Sequence, residues 1–330
     1  MCVISHLYQQ QLKMSNIVNT ENNYLTYYYN DDPDQRWRYD KYDTTHMRVG
    51  GCTRKPFSFK SEIVRTARSL TYNYPDITIF MSGGLDSEIA LKSFLAAGLR
   101  PKLTTVRFPE GANDHDIGPM LKMVEHMGLE CQIINFDLEK FVDSGECYEV
   151  AKKYQAYSLY QQMLLRIAEN FAAPMITVDE VELEKIPSIN WDTGKSTLEW
   201  YFLKKEDQDG VWRRFNDITG IPALNNFYTY SPESMLAFLD LPTVDDLIND
   251  RIFGKLGWTS SKLKIYAHTG FEFKPRPKFT GVENYLHLWN QVQYNIHDHL
   301  GELLPRGYGI NALKLRDNLR AGKESLCHII

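Results

Sequence analysis

Six consecutive residues, Ser82-Gly83-Gly84-Leu85-Asp86-Ser87, combine the types that hold a phosphate group. Two glycines let the backbone turn tightly and bring its N–H groups close to a ligand. Ser82 and Ser87 add hydroxyl donors. The string follows a short apolar run, Ile77 to Met81, and opens a run with helical spacing, Asp86 to Ala97. A helix start carries unsatisfied N–H groups and a partial positive charge. A strand, this loop and a helix in that order form an anion nest at the C-terminal edge of a sheet. Asp86 does not suit direct phosphate contact and reads as a metal ligand or a helix cap. Neither G-x-x-x-x-G-K-[ST] nor G-x-G-x-x-G occurs, so two other phosphate-binding loops are set aside. A bare Ser-Gly-Gly can also be a purely structural turn.

The elements around the loop alternate. Ser58 to Leu70 has Ile63, Val64, Ala67 and Leu70 at helical spacing, with Ser61 as N-cap. After the loop helix, closed by Gly98, come a strand over Lys102–Phe108 and a helix over Pro119–Met127. A strand over Cys131–Phe136, one long helix over Tyr148–Phe171 and a strand over Pro174–Val178 follow. Such alternation predicts an α/β core over 61–185 with a parallel sheet and right-handed crossovers. Residues 1–60 form an N-terminal extension. In it Tyr24–Tyr29 and Arg36–Tyr42 flank Asn30-Asp31-Asp32-Pro33-Asp34 as a hairpin, and Gly50-Gly51 marks a flexible joint. Residues 186–330 are expected to hold a second hairpin, Thr197–Leu203 with Val211–Phe215 around Asp207-Gln208-Asp209-Gly210. Beyond it the pattern is mostly helical, over Pro232–Leu239, Val244–Leu256 and Glu283–Leu300.

Composition narrows the function classes. The 330 residues are 43% hydrophobic and 24% charged, ordinary globular values. A net charge of −5 does not favour nucleic acid as the main partner. No apolar run is long enough to span a membrane and no signal peptide is evident, so a soluble cytoplasmic protein is expected. Cys2, Cys52, Cys131, Cys147 and Cys327 are scattered, with no C-x-x-C pair, which argues for reduced thiols rather than a disulfide frame or zinc site. Cys2 could become an N-terminal nucleophile, but the stretch before the loop is short for the domain that role requires. An incidental thiol is the simpler reading.

The Ser82–Ser87 string resembles the signature of the PP-loop ATP pyrophosphatase superfamily, whose fold is a doubly wound parallel sheet. Two later stretches are similar to the synthetase domain of asparagine and β-lactam synthetases: Val178-Asp179-Glu180, and Phe273-Lys274-Pro275-Arg276-Pro277-Lys278-Phe279. The resemblance implies a reaction in which a carboxylate or amide oxygen attacks the α-phosphate of ATP, pyrophosphate leaves, and an amine or ammonia then displaces AMP. By the same resemblance Ser82, Gly83, Gly84, Leu85, Asp86 and Ser87 would hold the pyrophosphate and its Mg²⁺. Val106 would present its backbone to adenine. Asp179 would join Asp86 as a metal ligand, with Glu180 assisting, and Lys278 would stabilise charge on the α-phosphate. The implied partners are a small-molecule acceptor and an amine donor. With no glutaminase domain expected, ammonia would be free or come from a separate glutaminase.

The pattern also departs from that family. Met175-Ile176-Thr177-Val178 carries neither the glycines nor the acid usual before Asp-Glu, which leaves Glu182 as a guess for the base. Glu88 stands where Ser or Thr is common. Taken as residues alone, Asp179-Glu180 also fits an exposed acidic loop, and Lys278 a solvated cation beside prolines. Lys255, Lys262 and Lys264 read as helix-face cations. His115-Asp116 fits either the mouth of the site or a helix cap. Tyr154, Tyr157 and Tyr160 read as a packing stripe before a stacking surface. Two other functions stay open: a nucleobase- or tRNA-modifying enzyme using Arg36-Trp37-Arg38, Arg48, Arg54 and Lys55, and a non-catalytic nucleotide-binding protein.

Overall fold

The computed structural model describes residues 25–32, 34–36, 38–43, 45–176, 182–190, 194–251, 258–273, 282–301, 303 and 305–329. The chain forms β1 (Leu25–Tyr29), β2 (Thr45–Val49), α1 (Phe59–Asn73), β3 (Ile77–Phe80), α2 (Leu85–Ala96) and β4 (Lys102–Arg107). It continues with α3 (Asp114–His126), β5 (Gln132–Asn135), α4 (Leu138–Asp143), α5 (Glu146–Tyr154), α6 (Leu159–Ala168) and β6 (Ala173–Ile176). Then come β7 (Glu182–Asn190), β8 (Lys195–Lys205), α7 (Val211–Thr219), α8 (Pro232–Leu239), α9 (Pro242–Ile248) and α10 (Trp258–Ala267). The last elements are α11 (Leu286–Leu300), β9 (Gly307–Asn311), α12 (Ala312–Arg320) and β10 (Ser325–Ile329).

Four strands form a parallel sheet in the order β5-β4-β3-β6. All four residues of β3 are buried, as expected of a strand covered on both faces. Successive side chains of a strand face opposite ways. Ile77 and Ile79 accordingly share an apolar cluster with Ile63 of α1, Phe94 of α2 and Met120 of α3. Phe80 belongs to a second cluster with Phe141 of α4, Val150 of α5 and Leu164 of α6. The mixed α/β expectation holds, with helices on both faces. The chain winds outward from β3 to β4 and β5, then returns to β6 on the other side of β3. Such a reversal leaves a crevice at the C-terminal ends of β3 and β6, where the Ser82–Ser87 loop emerges.

A second, six-stranded antiparallel sheet runs β1-β2-β10-β9-β8-β7. The C-terminal part, expected to be mostly helical, therefore supplies four strands as well, and the N-terminal strands complete its sheet. The expected boundary at 185 falls inside β7.

Both expected hairpins exist with different partners. β1 pairs with β2, from Leu25↔Val49 to Tyr29↔Thr45, and Arg36–Tyr42 is not the second strand. Asp43 explains why: its carboxylate accepts from the backbone N–H of Tyr39 (2.7 Å) and Asp40 (3.0 Å) and from Asn30 Nδ2 (2.6 Å), which commits that stretch to turns. β8 pairs with β7, from Glu182↔Leu203 to Asn190↔Lys195. Asp209-Gly210 instead leads into α7, because Val211, Trp212 and Phe215 bury one helical face.

Other corrections are local. The long helix is interrupted at Gln155, which adopts φ +56°. α3 starts at Asp114, so Pro119 lies inside it rather than at its first turn. Ser58, not Ser61, caps α1, accepting from Ser61 N at 3.3 Å. α9 stops at Ile248, and 252–257 lies outside the described residues. Gly51 is a packing contact rather than a joint: a Cβ there would lie 2.2 Å from the backbone carbon of Gly322.

Candidate functional site

The loop inherits its position from β3. Met81 N donates to Thr104 O and Thr105 Oγ1 to Met81 O, each at 2.7 Å, so β4 holds the chain up to Ser82. Gly83 has φ +83°, and a Cβ would lie 2.7 Å from Asp116 O and 3.0 Å from Asp116 Oδ2. Gly84 is the N-cap of α2 and provides no side-chain cap for its first turn. Ser82 Oγ accepts from Gly84 N at 3.2 Å and lies 3.3 Å from Ser87 Oγ, which donates to Gly84 O at 3.0 Å. Ser82 is exposed and Ser87 buried, while Leu85 packs half-buried against the core. A helix start without a side-chain cap, two hydroxyls and a close-turning glycine backbone fit a phosphate group.

Asp86 is held by two tyrosines that its sequence neighbourhood does not disclose. Tyr266 OH donates to Asp86 Oδ1, and Tyr228 OH to Asp86 O at 2.6 Å. A carboxylate accepts at both oxygens, so this anchoring is compatible with a metal contact. Among the described residues no three His, Cys, Asp or Glu side chains gather at a metal-binding spacing. Asp179, the other expected metal ligand, lies with Glu180 and Lys278 outside the described residues. Their flanks are described. Ile176, three residues before Asp179, pairs with Phe80 in register. Before Lys278, Lys92 Nζ donates to Glu272 O, and after it Asn284 Nδ2 donates to Ala112 O at 3.3 Å.

The other expected residues divide. Val106 lies in β4 opposite Ile134 of β5, and its carbonyl accepts from Asn113 Nδ2 at 2.8 Å. Asp116 adjoins Gly83, which puts the start of α3 against the loop. Glu88 is 3% exposed and bound to Lys92 at 2.6 Å, a structural ion pair in α2. Glu182 pairs with Lys205 at 3.4 Å. Tyr154 is buried and donates to Glu169 at 2.6 Å, a packing role, whereas Tyr157 falls between α5 and α6. Burial, then the charge of Asp116, pushes the Tyr160 phenol up to about 12. Lys264 is exposed on α10. Arg36 pairs with Asp217 (3.4 Å), Arg38 with Glu206 (3.3 Å) and Arg54 with Glu62 (2.5 Å), so much of the suggested basic face is committed within the chain. Burial raises every described thiol: Cys52 and Cys327 to about 12, Cys131 and Cys147 to about 11.

No protein-family model matches the chain, and no curated protein matches it in sequence. Among solved structures, a protein described as a predicted subunit of tRNA methyltransferase from Methanocaldococcus jannaschii is similar over 48% of this chain and 72% of its own, at 14% identity and a TM-score of 0.29. NMN synthetase from Francisella tularensis is similar over 67% of this chain and 98% of its own, at 15% identity and a TM-score of 0.31. Likeness at this level assigns no role to any residue. No helix among the described residues is long and apolar enough to cross a membrane.

Proposed function

We propose that the chain is an ATP-dependent, AMP-forming enzyme that adenylates a small carboxylate or amide and passes it to an amine or ammonia. The observation that carries this reading is the Ser82–Ser87 loop at the reversal between β3 and β6, with the start of α2 lacking a side-chain cap. Backbone N–H groups there would hold the departing pyrophosphate, and Ser82 and Ser87 would orient it. Asp86 and Asp179 would hold Mg²⁺, which when bound neutralises charge on the phosphates. Glu180 would assist that pair. Val106 would meet adenine through its backbone, sharing its carbonyl with Asn113. Lys278 would stabilise charge developing on the α-phosphate.

The test follows α-labelled ATP with Mg²⁺ and a pool of small carboxylates and amides. The expected products are AMP and pyrophosphate, lost in Asp86→Ala. Lys278→Ala should lower kcat by about 100-fold or more, the order for removing a preorganised charge-stabilising group, with a smaller effect on the KM for ATP. Formation of ADP and orthophosphate would contradict the assignment. So would unchanged turnover in Asp86→Ala. ATP binding without turnover across the pool would leave two readings, an enzyme with a macromolecular acceptor and a non-catalytic nucleotide-binding protein.

A further inference from the structure

Away from the loop the surface carries a half-open pocket of about 780 Å³, within the range of roughly 300–1,000 Å³ usual for small-molecule sites. It opens between residues 52–58, the start of α1, α8, residues 268–270 and the end of α12, and none of Ser82–Ser87 lines it. Two buried carboxylates fix the 52–58 wall from behind. Glu233, 5% exposed, accepts from Thr53 N at 2.9 Å, Thr53 Oγ1 at 3.1 Å and Arg54 N at 3.3 Å. Glu62, 1% exposed, accepts from both terminal nitrogens of Arg54, at 2.8 and 2.5 Å, and from Phe57 N at 2.7 Å. Neither carboxylate lines the cavity.

The cavity itself is lined by Arg54, Lys55, Lys60 and Arg320 against one acid, Asp240. Asp240 is paired with Arg320 at 2.6 Å, and Lys60 Nζ donates to Gly270 O at 3.0 Å. Lys55 is exposed. With Glu62, Glu233 and Asp317, 3.9 Å from Arg320, counted behind the wall, four carboxylates stand against four cations, but these acids hold Arg54, Arg320 and the 53–57 backbone, and Lys55 and Lys60 have no carboxylate partner among the described residues. Phe57, Phe59, Leu236 and Leu241 add apolar surface, beside polar Thr53, Ser58, His268 and Thr269. Phe57 is 63% exposed although Arg54 and Arg65 stand over its ring at 5.7 and 5.5 Å. An accessible ring beside cations suits a ligand with an apolar or aromatic body and an acidic group.

We propose that this cavity binds a small organic anion, a carboxylate or phosphate ester on an apolar body, at a place separate from the loop. The two places are neighbours. Phe59 stacks on Tyr228 at 6.0 Å, and Thr269 Oγ1 donates to Tyr266 O at 2.7 Å; these are the tyrosines that hold Asp86.

The test is calorimetric titration of the whole chain, without ATP, using phenyl phosphate, phenylacetate and the neutral benzyl alcohol. One or both anions should bind, and benzyl alcohol at least about tenfold more weakly, as expected for losing a charged hydrogen bond. Lys55→Ala and Lys60→Ala should each weaken the anion about tenfold, while added ATP leaves its affinity unchanged. A preference between the two anions identifies the acidic group. No binding at millimolar concentration, equal binding of benzyl alcohol, or indifference to both lysine variants would overturn the proposal. Displacement by ATP would overturn it too, by making the cavity part of the nucleotide site. Because the three ligands are first titrated without ATP, failure of the adenylation reading leaves those results intact.

Discussion

Gly83 and Gly84 are adjacent, yet the loop asks different things of them. Gly83 combines a left-handed backbone with contact to Asp116. Gly83→Ala should cost about 1–3 kcal/mol from backbone strain, measured by urea unfolding, and should also abolish ATP binding. Gly84 has φ −78°, and its added Cβ would meet only Ser82 Oγ, at 3.3 Å. Gly84→Ala should therefore cost less than about 1 kcal/mol while still weakening ATP, because the methyl group stands where the backbone would approach phosphate. Equal stability losses in the two variants would refute this division. The thiols give a second check at this scale. Burial, with Glu233 as the next contribution, holds Cys52 near 12, and burial holds Cys131 near 11. Neither should react appreciably with a disulfide reagent at pH 8, since the thiolate is the nucleophile. Both are half-buried, and rapid labelling of the folded chain would show that this partial burial does not hold the thiols protonated.

At the scale of elements, the junction of the antiparallel sheet rests on Glu206. Its carboxylate accepts from Tyr29 OH (3.1 Å), Tyr308 OH (2.5 Å) and Arg306 N (3.0 Å) and pairs with Arg38. Burial, then the Glu206 charge, raises the Tyr29 phenol well above its usual range. Glu206→Ala leaves a buried arginine and two phenols without this acceptor and should cost about 3–5 kcal/mol, seen as a lower urea midpoint. A loss under about 1 kcal/mol would mean that water replaces the carboxylate. The junction also shows what the sequence could disclose. β3, its loop and α2 depend on neighbours in sequence, so the apolar run and the paired glycines locate them within a residue. Strand partners depend on distant residues. β2 pairs with β10 through Met47↔Cys327, and nothing in the tyrosine-rich N-terminus points there. The site follows the same rule. The Ser82–Ser87 loop was legible, but Tyr228 and Tyr266 stand 142 and 180 positions from Asp86, beyond any local spacing. Asp-Gly before Val211 was ambiguous in itself, because turn residues can open either a hairpin or a helix, and burial of Val211, Trp212 and Phe215 decided for the helix.

The whole molecule carries its titratable groups in two opposing sets. Burial would raise Glu62, but hydrogen bonds from Arg54 and Phe57 N outweigh it and hold the carboxyl below its ordinary 4.5. Asp245 is likewise pulled upward by burial and then brought below 3.8 by Arg316 and Arg251. Glu169 is lowered by Lys153 and Tyr154 against burial. For these acids the unfolded chain binds protons more readily than the folded one, so their stabilisation is complete above the ordinary carboxyl values and is lost as pH falls through the lowered ones. The thiols have the opposite sign. Raised from 9.0 to about 11 or 12, they stay protonated in the fold after the unfolded chain has begun to ionise. Their contribution is complete below pH 9 and disappears as pH rises through the folded values. The melting temperature should therefore be level from about pH 5 to 8 and fall on both sides. Glu62→Gln should flatten part of the acid limb and leave the alkaline limb unchanged. A step near pH 6.5 in the wild type would contradict this pattern and assign the control of stability to histidine, whereas a level midrange ties it to the buried carboxylate–arginine pairs and the buried thiols.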